Sequence, residues 1–217
     1  IIVGVISITG IGFKFISLIT ELAGNSLFLL MLFLAVTCII LGMGVPTAPA
    51  YVIVATLGAP ALIKAGVPMI SAHLFVFYYA ILSVITPPVC VTAFAGASIA
   101  ESDPMRTGFV SVKLAIVAFI IPFMFVYQPA LLWQGGMAEA AVATITAIIG
   151  VIGIGGAMQG WLLTACRQWE RPVLLIGGLT LIYPGTMTDL MGLALLAVIA
   201  LLQLARRRPR PAGARPR

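Results

Sequence analysis

GMGVPTAPAY, Gly42 to Tyr51, stands in the middle of otherwise apolar sequence, and TPP, Thr86 to Pro88, interrupts the next such stretch. The apolar segments around them are Ser26–Gly42, Thr47–Ile63, Ile70–Ile85 and Pro87–Ala100. Each holds about 14 to 17 residues, roughly 21–26 Å as helix, whereas crossing about 30 Å of hydrocarbon takes about 20 residues. Each is marginal or too short alone, and the four pair up around two polar, proline-containing breaks. This is the pattern of broken helices or re-entrant hairpins, which survive where the freed backbone lines a cavity inside protein. Paired interruptions of this kind point to a transporter binding site. The alternative is a proline kink in a packed helix, but two matched breaks, each joining segments too short to cross, favour the site. The expected fold is all-α: a polytopic membrane protein with a re-entrant hairpin and a broken transmembrane helix.

Composition leads to the same class. Of 217 residues, 62% are hydrophobic and 8% charged, and the mean hydropathy is +1.19. Soluble domains run near 45–50% apolar and about 25% charged. So few charges cannot dress a water-facing surface, which excludes a soluble enzyme, a disordered tail and a fibrous protein. Long apolar runs in place of period-two alternation argue against a β-barrel. The net charge is +6, but Arg206, Arg207, Arg208, Arg210, Arg215 and Arg217 cluster in the tail. That cluster reads as a topology signal under the positive-inside rule, with attraction to anionic membrane lipid as a second reading and no nucleic-acid role. Cys38, Cys90 and Cys166 are scattered, so neither a disulfide framework nor a metal site is expected. The chain begins at Ile1 inside an apolar run and reads as the C-terminal piece of a longer protein.

Outside the two breaks, Ile1–Ile19 is apolar except for Lys14, and Glu21 to Ser26 ends that run. ESDP, Glu101 to Pro104, predicts a helix start with Ser102 or Asp103 as cap and Pro104 at the first helical position. Gly108–Trp133 and Ala140–Met158 read as full-length spans, Trp161–Arg171 as an amphipathic basic connector, and Pro172–Tyr183 with Met187–Leu204 as a closing pair around Pro184-Gly185. With the arginine tail in the cytoplasm, counting back puts Arg167, Arg171 and Arg106 inside and Gln134–Glu139 outside. Ile70–Ala100 then crosses as one broken helix, and Ser26–Ile63 is a hairpin dipping in from outside. Lys64 is the one violation.

At the first break Gly42, Met43 and Gly44 end a half-helix; Thr47 is expected to cap the next, with Pro49 in its first turn. At the second, Ser83 and Ile85 end a half-helix, and Thr86 as N-cap and Pro87 as first helical residue are expected to start another. Each break presents opposite helix ends carrying roughly −0.5 and +0.5 charge. Carbonyls and Ser or Thr hydroxyls can coordinate Na⁺ without any carboxylate. Amide ends can hold a substrate carboxylate, which makes Thr47, Thr86, Pro87 and Pro88 the candidate substrate contacts. His73 reads as an interfacial or hydrogen-bonded side chain before a proton relay, Lys14 and Glu21 as interfacial anchors, and Asp189 as a helix-start charge. Trp133, Trp161 and Trp169 flank spans as an aromatic belt does. Walker A, HExxH and GxSxG patterns and paired intramembrane carboxylates are absent from the sequence, so no enzymatic activity is expected.

ILGMGVPTAPAY (Ile40–Tyr51), AHLFVFYYAILSVITPPVCVTAFAGASIA (Ala72–Ala100) and PFMFVYQPALLWQG (Pro122–Gly135) closely resemble the large membrane subunit of tripartite ATP-independent periplasmic (TRAP) transporters. The fused-permease type that works with TAXI-class solute-binding proteins is the nearest in character. The resemblance covers residues 1–135, as the C-terminal half of the transport core; residues 136–217 look like the additional helices appended in the fused type. It implies a multi-pass permease of the bacterial inner membrane, with one half of an ion-transporter-superfamily elevator fold. The implied activity is Na⁺-driven import of small organic acids, with a periplasmic TAXI-type solute-binding protein and a small membrane subunit as partners. Carried over by motif, one Na⁺ site takes backbone oxygens at Gly42, Ser83, Thr86 and Val89. Ser83 stands where many relatives have glycine, and Val45-Pro46-Thr47 lacks the Asp of the family's common DPT. The family's matching half, with a second Na⁺ site, is implied to lie upstream. Two other readings are a symporter or antiporter of the same superfamily that needs no binding protein, and a non-transporting membrane scaffold. GVIGIGGAMQG, Gly150–Gly160, could serve the latter through close-approach glycines.

Overall fold

A computed structural model describes residues 8–183 and 185–206. The turn expected at Pro184 and the tail charges from Arg207 onward lie outside the described residues. Ten α-helices are described: α1 Ile11–Ala23, α2 Leu27–Gly42, α3 Thr47–Lys64, α4 Met69–Leu82, α5 Val91–Ile99, α6 Pro104–Leu114, α7 Ile116–Tyr127, α8 Met137–Gln159, α9 Glu170–Thr180 and α10 Thr186–Arg206. Short 3-10 turns follow α4 at Ser83–Ile85 and α7 at Pro129–Leu132. The described chain is thus all-helical. Three helices, α3, α8 and α10, are long and apolar enough to cross a membrane, and α6 with α7 makes a fourth candidate if the bent pair is one span. α2 and Met69–Ile85 are apolar but shorter.

Two compact units divide the chain, Ile1–Ala141 and Val142–Arg217. In the first, α2 starts at Ser26, whose hydroxyl accepts the Leu29 N–H at 3.4 Å. α2, α3 and α4 pack on one another. Lipid tails are as apolar as leucine, so contacts of this kind depend on close van der Waals approach and interhelical hydrogen bonds rather than on water exclusion. Small residues supply the approach: Ala50, Ala59, Ala72 and Ala80 are fully buried, and a Cβ on Gly58 would sit 3.1 Å from Val76. An aromatic layer ties α4 to α7. Phe75 packs against Tyr79 with tilted rings at 5.0 Å and meets Phe123 edge-on at 5.4 Å, and the Tyr79 hydroxyl donates to the Phe119 carbonyl at 2.6 Å. Large apolar side chains such as Ile40 and Phe109 are left on the outside, 60% and 63% exposed, as a lipid-facing surface requires.

The stretch Gly108–Trp133 is not one straight span. α6 and α7 bend by 41° at Ala115, and the helix ends at Tyr127. The two arms have different partners: α6 packs on α5 and α7 packs on α4. Gly108 lets α6 come so close that a Cβ there would lie 2.5 Å from the Cys90 sulfur and 3.2 Å from Pro87. The bend therefore follows the interruption between α4 and α5. The start of α6 is as the sequence predicts: Asp103 accepts the Arg106 N–H at 2.6 Å and Pro104 is the first helical residue.

In the second unit α9 packs on α10, and glycines bring α8 against α9. A Cβ on Gly178 would lie 2.8 Å from the Gly150 carbonyl oxygen. α9 has only 11 residues, about 16 Å of helix, so Pro172–Tyr183 is short for the crossing that the topology assigns to it. The connector from α8 to α9 is a turn with an antiparallel pairing of Trp161 and Ala165. Gln203 of α10 holds it: its Oε1 accepts the Leu163 and Thr164 N–H groups at 3.0 and 3.1 Å.

Candidate functional site

α2 ends at Gly42 against the end of α4. A Cβ at Gly42 would stand 2.5 Å from Ser83 Oγ and 2.9 Å from Ser83 Cβ, so only glycine allows this approach. Two residues on, Gly44 has φ +72°, a left-handed conformation that favours glycine. Its Cβ position lies 3.3 Å from Val89 Cγ1. The two breaks, far apart in sequence, thus lie on each other, with Gly42 beside Ser83 and Gly44 beside Val89. Within the second break the Thr86 N–H donates to the Ser83 carbonyl at 3.3 Å. Pro87 turns toward Gly108 of α6. Thr47 sits partly buried at the start of α3, and Pro88 is exposed.

Three details of the expected capping are corrected. Thr47 is the first residue of α3, not its cap; the cap position falls on Pro46, which has no side-chain acceptor. Thr86 does not cap a following helix. It is extended, φ −96° and ψ 124°, and its hydroxyl donates back to the Leu82 carbonyl at 2.7 Å, closing the helix before it. Pro87 is not a first helical residue, because α5 begins only at Val91. The reason is steric: a residue before proline is pushed out of the helical region. Thr86 precedes Pro87 and Pro87 precedes Pro88, so two successive positions are barred from starting a helix. The break is correspondingly wider than its three polar letters.

Thr92, one residue into α5, closes the gap. Its hydroxyl donates to the Val84 carbonyl at 2.8 Å, strapping the second half-helix to the end of the first. Sequence reasoning gave it no part in the break; the available signal was a hydroxyl near the start of an apolar segment, which needs an acceptor in lipid. Gly108 was missed for the converse reason, since its partner Cys90 is remote in sequence.

The oxygens at the breaks are partly used. Gly42 O accepts the Val45 N–H at 3.3 Å, Ser83 O that of Thr86 at 3.3 Å, and Val89 O that of Val91 at 2.9 Å. A carbonyl has two lone pairs, so each keeps acceptor capacity. Ser83 is fully buried and donates its hydroxyl proton to Ala80 O at 2.7 Å, which leaves its lone pairs as acceptors too. Such carbonyl and hydroxyl oxygens, in place of a hydration shell, are the ligand type for an alkali cation. Among the described residues no three His, Cys, Asp or Glu side chains gather as a metal site.

Other sequence candidates lie elsewhere. His73 Nδ1 is 2.9 Å from the Tyr51 hydroxyl, so the histidine is hydrogen-bonded between α4 and α3. Lys14 and Glu21 are exposed, as are Trp133, Trp161 and Trp169. One buried Asp189 carboxylate oxygen has no hydrogen-bond partner among the described residues.

Comparison with known families gives two matches. The model for the tripartite ATP-independent periplasmic transporter, DctM component, matches residues 1–140. A domain of unknown function, DUF3394, matches residues 140–192. No curated protein and no solved structure matches.

Proposed function

Because the chain belongs to the DctM family, the large membrane subunit of TRAP transporters, we propose that it carries one coupling-ion site of a Na⁺-driven importer of small organic acids. Membership makes it a multi-pass membrane component of a transporter and not an enzyme. TRAP transporters are ion-coupled and work with a solute-binding protein and a small membrane subunit. Na⁺ as the ion, a small organic acid as the cargo, the inner membrane as the location and the TAXI class of binding protein are our reading.

The observation that carries it is the seating of Gly42 on Ser83. Two helix ends meet there, each with the negative end of its dipole and carbonyls that keep lone pairs. In the proposed site Gly42, Ser83, Thr86 and Val89 offer oxygens to Na⁺. Thr47, Thr86, Pro87 and Pro88 border the place for the substrate carboxylate, where the amide end of α3 supplies positive potential. α5 starts four residues after Pro87, so its amide end stands further back than the sequence implied. Ion and substrate would share the two break segments, which gives a direct route for coupling: ordering one loop by Na⁺ orders the surface that the carboxylate meets.

The test is uptake of a labelled organic acid into proteoliposomes holding the permease. Import should require both an inward Na⁺ gradient and the solute-binding protein. Import driven by a K⁺ or proton gradient alone would overturn Na⁺ coupling; import without the binding protein would favour an independent symporter.

A further inference from the structure

We propose that the C-terminal unit binds an anionic phospholipid, with one acyl chain in an apolar groove and its phosphate at a basic rim. The groove measures about 330 Å³ and lies between α8 and α10, walled by Ile152, Gly153, Leu162, Leu163, Leu196 and Ala200. Its lining is aliphatic, so it takes hydrocarbon rather than an organic acid. From Leu193 to Ala200 the α10 wall runs about 10 Å, the shape of a chain segment rather than of a compact solute.

One end of this groove is the connector between α8 and α9, where α8 ends, α9 begins and α10 ends. Leu162 and Leu163 of the connector close the groove there. The same connector carries exposed Arg167, and Arg171 stands in the first turn of α9, also exposed. The Arg171 guanidinium lies over Gly160, where a Cβ would collide with it. Trp161 and Trp169, 61% and 48% exposed, stand at this level, as aromatic residues do at lipid headgroups.

Neighbouring acid does not cancel this charge. Glu170 is fully buried and is engaged by Arg206, by the Gln203 amide at 2.9 Å and by the Arg167 N–H at 3.1 Å. Among the described residues neither Arg167 nor Arg171 has a carboxylate within ion-pair distance. Asp189 sits in the first turn of α10, at the opposite end of that helix. A zwitterionic phospholipid brings its own ammonium to the rim, which offsets its phosphate, and a free anion uses only the rim; an anionic phospholipid fills the groove and meets the rim with net negative charge. Basic pockets between helices are known to take such headgroups.

The test extracts the permease in mild detergent and offers phosphatidylglycerol or phosphatidylethanolamine with identical chains, counting bound lipid by native mass spectrometry. One phosphatidylglycerol should be retained per chain, about tenfold more tightly than phosphatidylethanolamine. Arg167→Gln with Arg171→Gln, both on the surface, should erase that preference at unchanged thermal stability. Ala200→Phe, which fills the groove, should lower retention of both lipids; if it fails to fold, the arginine pair decides. Equal retention of the two lipids, or a preference that survives loss of both arginines, overturns the proposal. So does a cysteine at Ala200 that crosslinks to a protein segment, since the groove would then be a protein interface.

Discussion

At Gly42 one added methyl group would set a carbon 2.5 Å from Ser83 Oγ and 2.9 Å from Ser83 Cβ, inside van der Waals contact. Overpacking of this sort costs about 1–3 kcal/mol, and here relief means moving the two breaks apart. Gly42→Ala should therefore lower the thermal stability of the permease and raise the Na⁺ needed for half-maximal uptake about tenfold. Ser83→Gly in the same chain removes both clashing atoms and should restore much of each, as coupled neighbours do. Stability and Na⁺ dependence both unchanged in Gly42→Ala would detach this contact from the site. The place of Gly42 and Ser83 at helix ends was legible because each closes an apolar run at a polar break. The work of Thr86 was misread, because capping preference is a local rule and the Thr86 hydroxyl finds Leu82 O behind it at 2.7 Å. Thr92 takes the bridging role instead, and nothing local in the sequence announces an acceptor eight residues upstream.

Elements were more legible than their ends. Length, apolarity and the Asp103–Pro104 start predict the helices well, but the 41° bend at Ala115 depends on which neighbour each arm meets, and that is a tertiary fact. The clasp of the second unit is tertiary as well. Burial pushes the Glu170 carboxyl up, but the Arg206 guanidinium, the Gln203 amide and the Arg167 N–H together outweigh it and hold the group below the ordinary carboxylate value. The folded protein thus binds this proton more weakly than the unfolded chain does. The stabilisation is fully present above the ordinary pKa of about 4.3 and is lost as pH falls through the lower folded value. Glu170→Gln removes the charge from a buried, hydrogen-bonded position and should cost about 1–3 kcal/mol near neutral pH. The gap in melting temperature between wild type and variant should narrow as the solution is taken from pH 6 toward pH 3. A gap that stays constant over that range would show that the clasp owes nothing to ionisation.

For the whole molecule, the membrane class follows from composition and the family from three separated motifs, while the path through the bilayer rests on the breaks. α3, α8 and α10 are each long enough to cross, but α4 with its 3-10 turn and the nine residues of α5 reach across only if they act as one interrupted span. In that arrangement Thr86–Cys90 lies at membrane depth, where unpaired carbonyls have no water and an ion is a favourable partner. If the segment instead turned back as a re-entrant hairpin, its break would still enter the membrane, but Lys64 and Arg106 would lie on one face and the count of crossings would change. Lys64 before this segment and Arg106 after it are both exposed, so both accept a cysteine without disturbing the core. The direct measurement is labelling of Lys64→Cys and Arg106→Cys in intact cells with a membrane-impermeant thiol reagent, before and after permeabilisation, in a background lacking Cys38, Cys90 and Cys166. Lys64→Cys should label from outside in intact cells, and Arg106→Cys only once the cytoplasmic face is opened. Labelling of both positions from the same face would contradict the interrupted crossing.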